Sequence, residues 1–304
     1  MKIVFMGTPE FAVPSLKILV ENQYHIVGVI TAPDKPAGRG KQLQMSEVKQ
    51  YALSQNLPIL QPTNLKSPEF IQELKNLQAD LQVVVAFRML PEAVWAMPPL
   101  GTFNLHASLL PKYRGAAPIN WAIINGETET GITTFFLKHE IDTGNIIFQE
   151  KEPIYFEDNA GSLYERLMYK GAKLVLKTVQ AIEQGSEQTF EQTGEASHAP
   201  KIFRETCQID WNKPALQLYN FIRGLAPYPA AWTWLKEKNC KIFKINPKVL
   251  DWQHQADIGS FSVQGNKLAF MSREGWVEII ELQLEGKKRM NTQEFLNGFR
   301  EWLV

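Results

Sequence analysis

Lys2-Ile-Val-Phe-Met6, His25 to Thr31 and Leu81 to Phe87 are short, nearly unbroken apolar runs. A strand that is apolar on both faces must be covered on both sides, which is the condition of a parallel sheet flanked by helices. Gly101 to His106 and Gly131 to Leu137 continue the series, and Ser67 to Asn76 supplies a helix between strands. After the first run comes Gly7, then Thr8 as N-cap and Pro9 as the first helical residue, with Pro14 interrupting that helix early. Strand, crossover, strand is the simplest topology for such a series.

Ser162-Leu-Tyr-Glu165 reads as a capping box, and Leu163, Leu167, Leu174 and Ile182 follow at helical spacing until Gly185 closes the helix. From Ser186 to Pro200 the periodicity is lost. Beyond Cys207 short strands punctuated by glycine take over: Ala231 to Leu235, Lys241 to Ile245, Gly259 to Val263, Lys267 to Met271 and Trp276 to Leu284. One helix, Pro214 to Arg223, precedes them and another, Thr292 to Trp302, follows. Such spacing suits a small antiparallel barrel. The expected fold is therefore α/β, with a Rossmann-like parallel-sheet domain over 1–187, a linker over 188–206 and an OB-like β-barrel over 207–304. Trp232, Trp234, Trp252 and Trp276 are expected in the barrel core rather than as base-stacking groups, with room for one exposed ring.

A chain of 304 residues has the length of two domains, and 44% hydrophobic content is enough to build their cores. Two cysteines, Cys207 and Cys240, make neither a disulfide scaffold nor a four-cysteine zinc site, and they suit a reducing compartment. The first apolar run is too short for a signal peptide, and no run is long enough to span a membrane, so a cytoplasmic protein is expected. Thirty-two basic and 32 acidic residues exclude binding through a globally cationic surface but leave room for a local patch.

The densest chemistry lies in Phe103-Asn-Leu-His-Ala-Ser-Leu-Leu-Pro111. On a strand, period two sends Asn104 and His106 to one face and Phe103 and Leu105 to the other. An amide and an imidazole at the C-terminal end of a strand stand where open α/β sheets bind ligands. Together they can donate to a developing oxyanion and exchange a proton with an amine. Taken singly, the bland reading is stronger: a turn-fixing amide and a satisfied core histidine. The irregular loop that follows, through Pro111, Tyr113, Arg114 and Gly115, favours the functional one. In His139-Glu-Ile-Asp-Thr-Gly144, Asp142 is first a turn residue, yet its carboxylate leaves the same sheet edge and could orient the histidine and hold it protonated.

Gly7-Thr-Pro-Glu-Phe-Ala12 lacks the dinucleotide fingerprint, and neither a phosphate loop nor a nucleophile elbow is present. His25, His106, His139, His198 and His254 are too scattered for a zinc motif, so no metal is expected.

Asn104, His106 and Asp142, with Ser108-Leu-Leu-Pro111 and Tyr113-Arg-Gly115, resemble the folate-dependent formyltransferases. Pro33-Asp-Lys-Pro-Ala-Gly-Arg-Gly-Lys41, Gly126-x-x-x-Thr130-Gly131, His198-Ala-Pro-Lys201 and Gly286-Lys-Lys-Arg-Met290 resemble their tRNA-modifying branch. That resemblance implies transfer of a formyl group from 10-formyltetrahydrofolate, as co-substrate, to the amino group of initiator methionyl-tRNA. It implies that Asn104 and protonated His106 stabilise a tetrahedral oxyanion while Asp142 holds His106 charged and helps remove the amine proton. Ser108, Leu109, Leu110 and Pro111, with Phe87, Arg88, Met89 and Leu90, would form the folate slot. Val85-Ala-Phe-Arg-Met-Leu-Pro91 departs from the family pattern, being one residue shorter and carrying Arg88. The resemblance places Arg39 and Lys41 in a basic loop, and Lys287, Lys288 and Arg289 on the barrel, against tRNA; on composition alone these are solvated charges. A monomer is expected. Competing readings with the same centre are a hydrolase that passes the formyl group to water and a sugar-amine formyltransferase.

Overall fold

The computed structural model describes residues 1–37 and 42–303, so Arg39 and Lys41 lie outside the described residues. The chain forms two compact units. The first comprises Met1–Gly115, Thr130–Glu152 and Tyr164–His198, and the second Ala116–Glu129, Pro153–Leu163 and Ala199–Val304.

The first unit is built on β1 (Lys2–Gly7), β2 (His25–Ile30), β3 (Lys35–Ala37), β4 (Gln42–Gln44), β5 (Ile59–Leu60), β6 (Leu81–Val85) and β7 (Thr102–His106), followed by β8 (Arg114–Gly115), β9 (Glu129–Phe136) and β10 (Ile146–Pro153). Seven of these make one sheet in the order β10-β9-β7-β6-β1-β2-β5. The pairs β1·β2, β1·β6, β6·β7 and β2·β5 are parallel, as their unbroken apolar sequences require. β9 runs antiparallel to β7, which corrects the expectation of a wholly parallel sheet. A chain that re-enters a sheet from the end it left needs no crossover helix and becomes an antiparallel neighbour. β10 lacks the unbroken apolar run of its neighbours, since it is an edge strand whose second half, Gln149 to Glu152, is polar.

α1 (Val13–Glu21), α2 (Glu47–Ser54), α3 (Pro68–Asn76) and α4 (Glu92–Trp95) belong to this unit. Ser67 caps α3 by accepting from the Phe70 N–H at 3.2 Å. Pro14 does not interrupt α1: a 3-10 turn over Glu10–Ala12 precedes the helix, and Pro14 sits in its first turn, where a missing N–H costs nothing.

α6 (Ala160–Glu183) also begins elsewhere than its sequence pattern implies. Asn159 is the cap: its N–H donates to Ser162 Oγ at 3.1 Å, and Ser162 N–H donates back to Asn159 Oδ1 at 3.0 Å. Ser162 thus plays the part expected of Glu165, three residues earlier. Farther along α6, Gly171 lies against β7, where an added Cβ would stand 2.6 Å from Leu105 Cδ2. Leu105 and Phe103 fill the buried face of β7, leaving its other face to Asn104 and His106.

The second unit contains α5 (Pro118–Ile124), α7 (Ala215–Leu225) and α8 (Thr292–Leu303), with β11 (His198–Ala199) at its entry. Its sheet uses β12 (Ala231–Leu235), β13 (Lys238–Leu250), β14 (Phe261–Gln264), β15 (Lys267–Ser272), β16 (Gly275–Leu284) and β17 (Met290–Asn291). The order is β12-β13-β16-β15-β14, with β17 on β16, and every ladder is antiparallel. The expected all-β unit is therefore present, though among the described residues its ladder is an open path from β12 to β14. β13 shifts register repeatedly along β16, which bends the sheet around a core of Ile242, Ile245, Phe270, Val277 and Phe295. Trp276 is in the interior, whereas Trp234 is exposed. Period two explains this: Ala231, Thr233 and Leu235 point inward, so Trp234 faces out, while Trp232 on the same face is half-buried and still packs against the core.

Because Leu105 is buried and cannot swing away, Gly171→Val is expected to lower stability by about 1–3 kcal/mol through overpacking. A urea titration should show the midpoint fall with an unchanged slope.

Candidate active site

β7 lies between β6 and β9, and its C-terminal end carries the candidate residues. His106 is buried and opposes Thr133 of β9. Its Nε2 lies 2.8 Å from the carbonyl oxygen of Tyr113. A carbonyl only accepts, so Nε2 carries a proton and donates it there. Nδ1 is left to face Asp142, whose Oδ2 is 3.8 Å away. That separation exceeds a hydrogen bond, and the two largely buried side chains form an ion pair whenever the ring carries both protons. Asn104 shares the strand face with His106. Its amide makes no hydrogen bond to another described residue and is not sealed from solvent.

Asp142 is held in the left-handed region, at φ 54°. Its Oδ2 accepts from the Gly115 N–H at 2.9 Å, and its carbonyl accepts from Gln192 Nε2 at 2.8 Å. Two residues on, a Cβ on Gly144 would stand 1.5 Å from the Phe136 carbonyl oxygen. The Asp-Thr-Gly sequence therefore serves both a strained carboxylate position and a backbone contact that only glycine allows.

The loop after β7 is tied down along its length. Thr133 Oγ1 donates to the Ser108 carbonyl at 2.7 Å, Gln149 Nε2 donates to the Leu110 carbonyl at 3.0 Å, and Ser108 Oγ donates to the Lys112 carbonyl at 2.6 Å. Leu109 rests against Gly131, Leu110 is buried, and the Pro111 carbonyl accepts from Ser197 N–H. Ser197 Oγ then accepts from the N–H of Tyr113, the residue whose carbonyl holds His106. Ser108, Leu109, Leu110 and Pro111 are thus a rigid wall whose carbonyls and hydroxyl already have protein partners.

The segment after β6 is the opposite case. Phe87 and Leu90 pack into the core beside β6, Met89 is exposed, and the backbone of 87–90 makes no hydrogen bond to other described residues. Arg88 turns aside: its guanidinium donates to the Pro62 and Thr63 carbonyls at 2.8 and 3.2 Å, and burial pulls its pKa down. In the second unit Arg289 is committed to Glu281 by two 2.6 Å contacts, Lys287 lies 5.4 Å over Phe299, and Lys288 is exposed. Among the described residues no group of His, Cys, Asp or Glu is placed to hold a metal, and no helix is long and apolar enough to cross a membrane. Thr133, Gln149, Gln192 and Ser197 escaped the sequence reading, since nothing in their spacing marks them as partners of distant loops.

The family model described as formyl transferase matches residues 1–179, and that of the formyl transferase C-terminal domain matches residues 201–300. The chain is 56% identical over 310 residues to a methionyl-tRNA formyltransferase of Bacteroides thetaiotaomicron, covering 99% of this chain and 96% of the relative. It is 58% identical over 312 residues to the methionyl-tRNA formyltransferase of Phocaeicola vulgatus, with the same coverage of 99% and 96%. Among solved structures, an N-formyltransferase from Helicobacter canadensis in complex with folinic acid and dTDP-3-aminofucose superposes with a TM-score of 0.66 at 23% identity, covering 95% of this chain and 100% of that one. At that identity the likeness is one of fold.

Gly144→Ala is expected to break the turn, because the new methyl meets backbone and not a movable side chain. A loss of about 3 kcal/mol, the upper range for overpacking, should appear as a lowered urea midpoint.

Proposed function

The chain belongs to the formyl transferase family, and from that premise we propose that it formylates the amino group of initiator methionyl-tRNA, with Asn104, His106 and Asp142 as its catalytic residues. The observation that carries the residue roles is the pairing of an unpartnered amide with a pinned imidazole on one strand face. When bound, 10-formyltetrahydrofolate supplies the formyl group. The free backbone of Phe87, Arg88, Met89 and Leu90 offers donors and acceptors to a pterin edge, and the Ser108 to Pro111 loop offers a rigid wall opposite. Arg88 contributes backbone alone, since its guanidinium serves Pro62 and Thr63.

As the amine attacks, negative charge grows on the formyl oxygen. Asn104 donates an N–H to it, an interaction worth most where water is excluded. Because Nε2 is committed to Tyr113, the ring's other proton is carried on Nδ1, and that N–H is the second donor. Asp142 faces the same nitrogen and takes up the proton leaving the amine. The tetrahedral centre then collapses by breaking the bond from the formyl carbon to the folate nitrogen, which leaves as an amine carrying the proton that Asp142 took up. Donor and acceptor are both held in place, so no covalent bond to the protein is needed.

We assign folate binding and catalysis to 1–187 and tRNA anchoring to 207–304, with Gln192 and Ser197 of the intervening 188–206 stretch bracing the catalytic loops. Lys287 and Lys288 are the phosphate contacts of the second region, with Arg39 and Lys41 those of the first. Arg289 supports its neighbours through Glu281 and carries little free charge. The protein works as a cytoplasmic monomer. A sugar-amine formyltransferase or a formyl-folate hydrolase would use the same centre, but identity above half to tRNA-modifying relatives along the full chain favours tRNA.

Incubation with formyl-labelled folate and either charged initiator tRNA, an amino sugar nucleotide or buffer separates these readings. Label is expected in the tRNA; label released as formate, or in the sugar, would overturn the assignment. Asn104→Ala is expected to lower kcat by roughly 10²- to 10³-fold with folate affinity kept, as for loss of one oxyanion donor. His106→Ala and Asp142→Asn should be at least as slow, and stopped-flow kinetics with folate titration would check all three.

A further inference from the structure

Asp142 sits in a backbone conformation that a non-glycine residue resists, so something must hold it there. The carboxylate is fixed from one side by Gly115 N–H. From the other side the holder is Gln192, in the aperiodic stretch that follows α6. Its Nε2 donates to the carbonyls of Asp142, at 2.8 Å, and Gly144, at 2.9 Å. Its Oε1 accepts from Arg114 Nε at 3.2 Å and Nη2 at 2.6 Å. Both amide protons and the carbonyl oxygen are therefore used, and the opposite amide orientation would set oxygen against two carbonyls and NH₂ against a guanidinium.

These bonds close a ring. It runs from the Asp142 carbonyl through Gln192 to the Arg114 side chain, along the chain to Gly115, and from Gly115 N–H back to Asp142 Oδ2. The same stretch grips the other loop, since Ser197 accepts from Tyr113 N–H with its hydroxyl and from Arg114 N–H with its carbonyl. Tyr113 is the residue that holds His106.

We propose that Gln192 is a positioning residue for the reaction, setting the distance between Asp142 and His106 by locking the Asp142 turn to the Arg114–Gly115 strand. The proposal rests on the formyl-transfer reading above. A ring of this kind has no slack, so an apolar isostere lets the carboxylate drift. A misplacement on the scale of an ångström costs up to about 100-fold in rate.

The test is a double-mutant cycle on the full chain, read as kcat and KM for both substrates, with thermal midpoints recorded for each variant. Gln192→Met is expected to lower kcat about 10- to 100-fold while both KM values stay within about twofold. Gln192→Glu keeps the acceptor for Arg114 but turns oxygen toward two carbonyls, so it should be at least as slow while folding normally. In an Asp142→Asn background, adding Gln192→Met should change kcat by less than about twofold, because the group it positions is already disabled. A merely structural role would instead lower the rate by the same factor in both backgrounds, which overturns the proposal. Wild-type kcat in both Gln192 variants, beside a slow Asp142→Asn, overturns it and leaves the function standing. Wild-type kcat in Asp142→Asn removes the role of Asp142 and that of Gln192 with it.

Discussion

The hydrogen bond from His106 Nε2 to the Tyr113 carbonyl decides which atoms of the site remain to do chemistry. It consumes one ring nitrogen and aims the other at Asp142. It also makes the loop after β7 part of the site, because a carbonyl can hold an imidazole only if its own peptide is held. Tyr113 lies at φ 60°, an unfavourable region for an aromatic residue, and Ser197 and the bonds along 108–112 keep it there. The loop is rigid for the same reason that it offers few polar groups to a ligand.

The contrast between the two strand-end segments follows from what each must do. After β7 the carbonyls of 108–111 are all engaged, by Thr133, Lys112, Gln149 and Ser197, which suits a wall that fixes side chains. After β6 the backbone of 87–90 is free, which suits recognition of a flat heterocycle rich in donors and acceptors. Arg88, whose charge sets this segment apart from the family pattern, is spent on Pro62 and Thr63. The departure thus alters how the segment is braced and leaves its backbone available.

The residues on regular strands were legible in the sequence because period two is a property of the backbone. Asn104 and His106 share a face for that reason, and Phe103 and Leu105 oppose them. Aromatic bulk alone points Trp234 to the core, whereas this rule sets it on the face opposite Ala231, Thr233 and Leu235, where it is exposed. What escaped was non-local. Nothing near Gln192 or Ser197 announces that their partners lie 50 or more residues away, at Asp142 and Tyr113. β9 reads like its parallel neighbours because burial shapes composition and direction does not. Ser162 carries the pattern of a cap, yet Asn159, three residues before it, makes the reciprocal bonds of the cap with Ser162 as their partner.

Nitrogen NMR of the His106 imidazole, in protein with labelled histidine and followed through the titration of the ring, tests the central constraint most directly. Above the titration, Nε2 should carry the proton and Nδ1 should be bare, with Nδ1 gaining a proton only as the ring becomes charged. A neutral ring protonated on Nδ1, with Nε2 bare, would mean that the Tyr113 carbonyl does not hold it and that the proton path through Nδ1 is wrong.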